Sequence, residues 1–90
     1  MKKSTEHSSY FVYIAECADG TFYTGYAVNL ADREAIHNGE KKGMGAKYTR
    51  ARRPVKIVYS EKTNTKSMAM KREIEIKKLT HEQKKSLVAS

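Results

Sequence analysis

The segment that most restricts the fold lies near the start of the chain. It runs Tyr10-Phe11-Val12-Tyr13-Ile14-Ala15-Glu16-Cys17, then Ala18-Asp19-Gly20, then Thr21-Phe22-Tyr23-Thr24. The first part is dense in aromatic and β-branched residues and reads as a strand; Ala18-Asp19-Gly20 reads as a turn and the rest as the returning strand of a hairpin. What remains open is the parity of the loop. A two-residue Asp19-Gly20 turn pairs Cys17 with Phe22 and puts Tyr13 and Tyr23 on opposite faces of the sheet. A three-residue loop with Gly20 in the left-handed region pairs Cys17 with Thr21 and Ala15 with Tyr23, which brings both tyrosines to one face. A site using both phenols requires the three-residue loop, and that is the expectation. The plainer alternative is that both are half-buried core aromatics.

Further along, Asn29 is placed to cap a helix over 30–38, with Asp32 three residues on as in a capping box and Gly39 to end it. Residues 40–45 form a loop containing glycine and lysine, and 46–53 is a basic segment without a clear periodicity, stopped by Pro54. The alternation of Val55, Ile57 and Tyr59 against Lys56 and Val58 predicts a third strand. A helix is predicted over 65–79, where Ala69, Met70, Glu73, Ile74, Ile76 and Leu79 recur at three- and four-residue spacing. Thr80 with Gln83 marks the cap of a short last helix. The order β-β-α-β-α-α predicts a mixed α/β (α+β) domain, with helices around a mostly antiparallel three-stranded sheet.

Ninety residues fit one compact domain, expected over 10–88 behind a polar tail at 1–9. Any site must then lie on the surface of one small scaffold. Eighteen Lys and Arg against ten Asp and Glu give a net charge of +8, a field suited to a polyanion. Cys17 is the single cysteine, which excludes intramolecular disulfides and thiolate zinc cages and makes a reducing cytoplasm the expected compartment. The basic start is followed by no long apolar run, so neither a secretory leader nor a membrane span is expected.

Three polar residues stand where chemistry is plausible. Arg33 and His37 are four apart and share a helix stripe with Leu30, so Arg33 is aimed at the domain body or its rim. Its plain role is a structural ion pair; its functional role is to hold a phosphate or stabilise a pentavalent transition state. His37 reads either as a hydrogen-bonded structural group or as a base. Glu73 and Glu75 differ in their neighbours. Glu75 lies among Lys71, Arg72, Lys78 and Leu79 and reads as a solvated ion-pairing residue. Glu73 lies among Ala69, Met70, Ile76 and Lys77, on the apolar stripe, where a carboxylate asks for a partner such as Arg33 or a divalent cation.

Taken in order, Val12-Tyr13-Ile14, Tyr23-Thr24-Gly25, Asn29-Leu30-Ala31-Asp32-Arg33 with His37, and Glu73 in a following helix resemble the GIY-YIG endonuclease family. The resemblance covers most of the chain. It includes Gly45-Ala46-Lys47-Tyr48-Thr49 and Arg53-Pro54-Val55, which are seen in the small single-domain bacterial members. Two positions depart from the family's name: Phe11 stands where glycine is expected, and Thr24 stands where isoleucine is expected.

The resemblance implies a metal-dependent endonuclease acting on nucleic acid, with DNA the expected substrate. Glu73 is expected to hold one Mg²⁺ or Mn²⁺. Tyr13 is the expected proton acceptor from the attacking water and Tyr23 orients that water. Arg33 stabilises charge on the phosphate and His37 is a helper or alternative base. Lys47, Arg50, Arg52 and Arg53 are expected to hold flanking phosphates, a salt-sensitive and sequence-independent contribution. Specificity then comes from loops, from the basic segment or from a protein partner. The rival readings are a non-catalytic nucleic-acid-binding module on the same fold and a protein-interaction domain whose tyrosines only pack.

Overall fold

The computed structural model describes residues 9–43 and 45–90, so most of the expected N-terminal tail lies outside the described residues. The elements are β1 (Tyr10–Cys17), β2 (Phe22–Ala27), α1 (Leu30–His37), α2 (Lys47–Arg50), β3 (Val55–Thr63), α3 (Lys66–Lys77) and α4 (His81–Ala89). They form a three-stranded antiparallel sheet in the order β2-β1-β3 with helices around it, the α+β architecture the sequence predicts. Arg53–Pro54 is a cis peptide.

β1 is central because it is the strand that is apolar on both sides. Val12 and Ile14 are fully buried on one face with Ala69 and Ile76 of α3, joined by Phe22, Val58, Tyr59 and Leu87. Tyr13, Ala15 and Cys17 are buried on the other face with Ala27 and Val55, joined by Tyr23, Leu30 and Ile57. A strand covered on both sides reads as a continuous apolar run rather than an alternation, which is how 10–17 reads.

The hairpin has the three-residue loop. Ala15 faces Tyr23 and Glu16 faces Phe22, the Cys17 amide donates to the Thr21 carbonyl at 2.8 Å, and Gly20 adopts φ +83°. A left-handed residue at that position is natural for glycine, which has no Cβ to clash. Asp19 reinforces the loop by accepting from the Thr21 amide and hydroxyl.

β3 departs from strict alternation. The register passes from Ile14 opposite Tyr59 to Ala15 opposite Ile57, a bulge that leaves Val58 as the extra residue. Val55 and Ile57 therefore pack on the Tyr13 face, while Val58 and Tyr59 both pack on the α3 face. The period-two reading had placed Val55, Ile57 and Tyr59 together. β3 is also an outer strand, and α1 caps its edge: the Ile57 amide donates to Glu34, and the Asn38 side chain both accepts from and donates to the backbone of Val55.

α1 begins at Asn29, whose side chain accepts from the Asp32 amide at 2.9 Å. The Asp32 carboxylate pairs with Lys41 at 2.8 Å instead of closing a full capping box. α4 does have the full box, Thr80 with Gln83. α3 is turned differently from its predicted apolar stripe. Ala69 and Ile76 are buried, but Met70 and Ile74 are exposed. The inward face between Ala69 and Ile76 is taken by Arg72 and Glu73. Arg72 reaches Glu61 on β3 through two hydrogen bonds, which accounts for one of the two charges on that stripe.

Gly25 is fixed by its neighbour across the hairpin. A Cβ built there would lie 2.7 Å from the Tyr13 hydroxyl and 2.9 Å from its ring carbon. Tyr13 is 2% exposed and has no room to swing away. Gly25→Ala is expected to lower stability by about 1–3 kcal/mol through overpacking, read as a fall in midpoint in a denaturant titration.

Candidate active site

Five of the side chains singled out in the sequence meet at one cleft. Tyr13, Tyr23, Arg33, His37 and Glu73 line a depression of about 400 Å³, together with Gly25, Tyr26, Gly45 and Ala46. Three separate local structures produce this meeting. The odd hairpin loop puts Tyr13 and Tyr23 on one face with ring centres 6.4 Å apart. The Leu30-Arg33-His37 stripe of α1 lies over that same face, so His37 stands edge-on to both rings, at 5.9 Å from Tyr13 and 5.3 Å from Tyr23. α3, which packs on the other side of the sheet, supplies Glu73. β2 is the edge strand between these two sides, and at Gly25 it carries no side chain into the cleft.

The polar core of the cleft is a directed chain of hydrogen bonds. The Thr49 hydroxyl donates to the Ala46 carbonyl at 2.9 Å, because a carbonyl oxygen can only accept. Thr49 has one hydroxyl proton, so at 2.8 Å from His37 Nδ1 its oxygen must accept from Nδ1–H. The imidazole is then the tautomer with a bare Nε2, and that nitrogen accepts from the Tyr13 hydroxyl at 2.7 Å. Thr49 and His37 are both buried, at 0% and 2% exposure, so the chain is shielded from water on its inner side.

The electrostatics agree with these assignments. Burial, followed by the charges of Arg33 and Arg53, holds His37 below the ordinary imidazole value, so it is neutral at physiological pH. Burial, followed by Tyr23, pushes the Tyr13 phenol well above its ordinary range; Arg33 opposes the shift and Glu73 adds to it. Tyr13 is thus a neutral phenol that donates to a neutral histidine. Tyr13, the expected proton acceptor, and His37, the expected helper or alternative base, are thus joined by one hydrogen bond.

Glu73 is mostly covered, with 18% of its side chain exposed, and pairs with Lys77 one turn on at 3.4 Å. Glu75, by contrast, is half exposed and pairs with Arg72. Among the described residues no three His, Cys, Asp or Glu side chains cluster as a metal cage. A single carboxylate at a cleft still suits Mg²⁺ or Mn²⁺, which commonly take one or two carboxylates and complete their shell with waters and substrate phosphate. A loosely held lysine at 3.4 Å is a partner that a divalent cation can replace.

The basic segment divides in two. Lys47 and Arg50 are exposed on α2, and Arg53 beyond it is exposed too. Arg52 and Arg53 hold the frame: Arg52 pairs with Asp19 of the hairpin loop, donates to the Tyr48 carbonyl and lies 3.9 Å over the Tyr48 ring. Arg53 donates to the His37 carbonyl at 2.6 Å. Sequence reasoning missed Thr49 as the partner that sets the His37 tautomer. The only signal was a small hydroxyl residue amid cations, at the end of the Gly45-Ala46-Lys47-Tyr48-Thr49 segment.

The family model of the GIY-YIG catalytic domain matches residues 9–86. The chain belongs to the GIY-YIG family. It is 52% identical over 80 residues to UPF0213 proteins of Staphylococcus aureus strains Mu3 and MW2, which spans 89% of this chain and 94% of each relative. Among solved structures it is similar to the UPF0213 protein BH0048 of Bacillus halodurans, with TM-score 0.55 and 41% identity over 90% of this chain and 83% of that one. It is also similar to the protein EF2693 of E. faecalis, with TM-score 0.57 and 36% identity over 87% of this chain and 80% of that one. The GIY-YIG motifs map onto the cleft: Tyr13 and Tyr23 come from the two hairpin strands and Gly25 closes beneath Tyr13. No described helix is long and apolar enough to cross a membrane.

Proposed function

We propose that this GIY-YIG domain is a metal-dependent endonuclease that hydrolyses phosphodiester bonds in DNA, using Tyr13, Tyr23, Arg33, His37 and Glu73. The observation that carries this reading is the bond from the Tyr13 hydroxyl to a bare, buried His37 Nε2 at the wall of a cleft that also holds Arg33 and Glu73. A phenol with a raised pKa is a poor base alone. A phenol that passes its own proton to an imidazole while taking one from water is a competent relay, and such acid–base assistance contributes typically about 10²–10⁴-fold.

In this scheme the attacking water approaches the Tyr13 oxygen. As its proton moves to that oxygen, the phenol proton moves to His37 Nε2, and Thr49 holds the ring through Nδ1. Tyr23 orients the water. Arg33 faces the phosphate and stabilises the charge that builds on its non-bridging oxygens. Glu73 would hold the divalent ion, which when bound supplies charge stabilisation at the phosphate and the leaving 3′-oxygen. Lys47 and Arg50 hold flanking phosphates without reading sequence. Arg52 and Arg53 support the same surface chiefly by fixing the hairpin loop and the end of α1.

The relay sets the pH dependence. His37 must be neutral to accept, and its pKa lies below the ordinary value of about 6.5. Single-turnover cleavage is therefore expected to be flat above about pH 6.5 and to fall only as pH drops through the lower folded value. The same shift links to stability: below about 6.5 the unfolded chain binds the proton and the folded chain resists it, so stability declines as pH falls through that window. A cleavage rate still climbing steeply above pH 7.5 contradicts the relay. The enabling experiment is cleavage of labelled DNA by the full chain in Mg²⁺ and Mn²⁺ against EDTA; cleavage unaffected by EDTA sinks the metal-dependent reading.

A further inference from the structure

Thr24 is the family-motif position at which this chain departs from isoleucine, and its side chain has no evident structural use. The residue is 2% exposed, and its hydroxyl oxygen is buried with no hydrogen-bond partner among the described residues. An unpartnered buried hydroxyl costs about 1–3 kcal/mol, so its presence on the edge strand β2 asks for a ligand.

The surroundings of Thr24 give that ligand a chemistry. Thr24 lines a groove of about 240 Å³ with Phe22, Tyr23, Tyr48, Lys77 and Lys84. Two of these six carry ammonium groups and none is acidic. Partial burial, followed by the charge of Lys77, pushes Lys84 below its ordinary value, which marks like charges held close in the same groove. Lys77 also pairs with Glu73 at 3.4 Å. On the aromatic side, Tyr48 is 37% exposed and stacks with Tyr23, ring centres 6.2 Å apart and planes 26° apart. Tyr23 lines both this groove and the cleft, so the two adjoin at that ring.

We propose that this groove is a nucleotide subsite beside the scissile bond, in which Lys77, Lys84 and the Thr24 hydroxyl hold the adjoining phosphate and the Tyr23–Tyr48 pair receives its nucleoside. The proposal rests on the nuclease reading and deepens it. Anion binding offsets the repulsion between the two lysines, and the Thr24 hydroxyl gains the acceptor it lacks. The subsite fixes which way the strand lies: from Arg33, across Tyr23, toward α4.

The test needs no cleavage. Binding of a fluorescein-labelled single-stranded DNA oligonucleotide to the full chain is followed by anisotropy in EDTA over a salt series, with parent, Lys84→Ala, Thr24→Val and Tyr48→Leu proteins. Lys84→Ala is expected to weaken binding about tenfold and reduce the salt slope by about one phosphate contact. Thr24→Val keeps the shape and removes the hydroxyl. It is expected to weaken binding several-fold while the melting temperature stays equal or rises, a pairing that a purely structural role cannot produce. Tyr48→Leu is expected to weaken binding without changing the slope. In parallel, a 5′-phosphorylated thymidine dinucleotide is titrated into labelled parent protein, and the amide signals of Thr24 and Lys84 are expected to shift. Unchanged affinity and slope in Lys84→Ala and Thr24→Val, with the parent binding normally, overturn the subsite and leave the catalytic reading standing. A parent that binds no oligonucleotide even at low salt overturns both.

Discussion

Glu73→Gln is expected to reduce metal-dependent cleavage by more than about a hundredfold while the protein stays folded and keeps most of its affinity for DNA. Glutamine preserves the volume and the helix compatibility of the side chain, so α3 and its contacts with β1 and β2 are retained. What is lost is the negative charge that a hard cation requires, and with it several kcal/mol of transition-state stabilisation. Removing the carboxylate also releases Lys77, which leaves the local field more positive and favours rather than hinders DNA binding. Glu75→Gln is the matched control two residues away. Glu75 is half exposed and pairs with Arg72 one turn away, a contact worth a few tenths of a kcal/mol, so its variant is expected to cleave like the parent. Single-turnover rates at saturating DNA, in Mg²⁺ and in Mn²⁺, after circular dichroism of both variants, make the comparison. Equal rates for Glu73→Gln and the parent would place the metal elsewhere.

The second large effect is expected from Tyr13→Phe. The ring stays in its core cluster with Ala15, Cys17 and Val55, and only the hydroxyl above Gly25 is removed. His37 Nε2 then loses its donor, which costs about 1–3 kcal/mol of stability. Cleavage is expected to fall by about 10²–10⁴-fold, because the water no longer has a path for its proton into the imidazole. Burial, Arg33 and Arg53 still hold His37 below the ordinary imidazole value in this variant, so the loss of rate is read against an imidazole that stays neutral at physiological pH. Retention of full activity would mean that another group takes the proton, and Tyr23 is the nearest phenol.

Much of this site was legible because it depends on periodicity. The strand parity of the hairpin decided whether two tyrosines could meet, and the left-handed preference of Gly20 made the odd loop the natural one. Helical spacing put Arg33 and His37 on the stripe of Leu30, and the neighbours of Glu73 and Glu75 separated a covered carboxylate from a solvated one. The rest depended on contacts between segments far apart in the chain. The bulge in β3 inserts one residue opposite Ile14 and Ala15, which no local pattern announces, and it undid the alternation of Val55, Ile57 and Tyr59. Met70 and Ile74 looked like core because hydropathy does not register that Arg72 had an acceptor waiting on β3. Thr49 became visible only when α2 was folded under α1, and the bonds of Arg52 to the hairpin loop and of Arg53 to the His37 carbonyl join segments that no local pattern links.

A Tyr13–His37 relay and a single metal-holding carboxylate, as proposed, would let this small GIY-YIG domain cut DNA by itself. The most direct measurement is a gel assay of the purified full chain on end-labelled linear, flapped, forked and single-stranded DNA, each with Mg²⁺, with Mn²⁺ and with EDTA, alongside Tyr13→Phe. Discrete products are expected on at least one substrate form with a divalent ion, none in EDTA, and at least about a hundredfold less with Tyr13→Phe. Tight binding with no cleavage of any form in either metal would contradict the proposal and leave a nucleic-acid-binding module on the same fold.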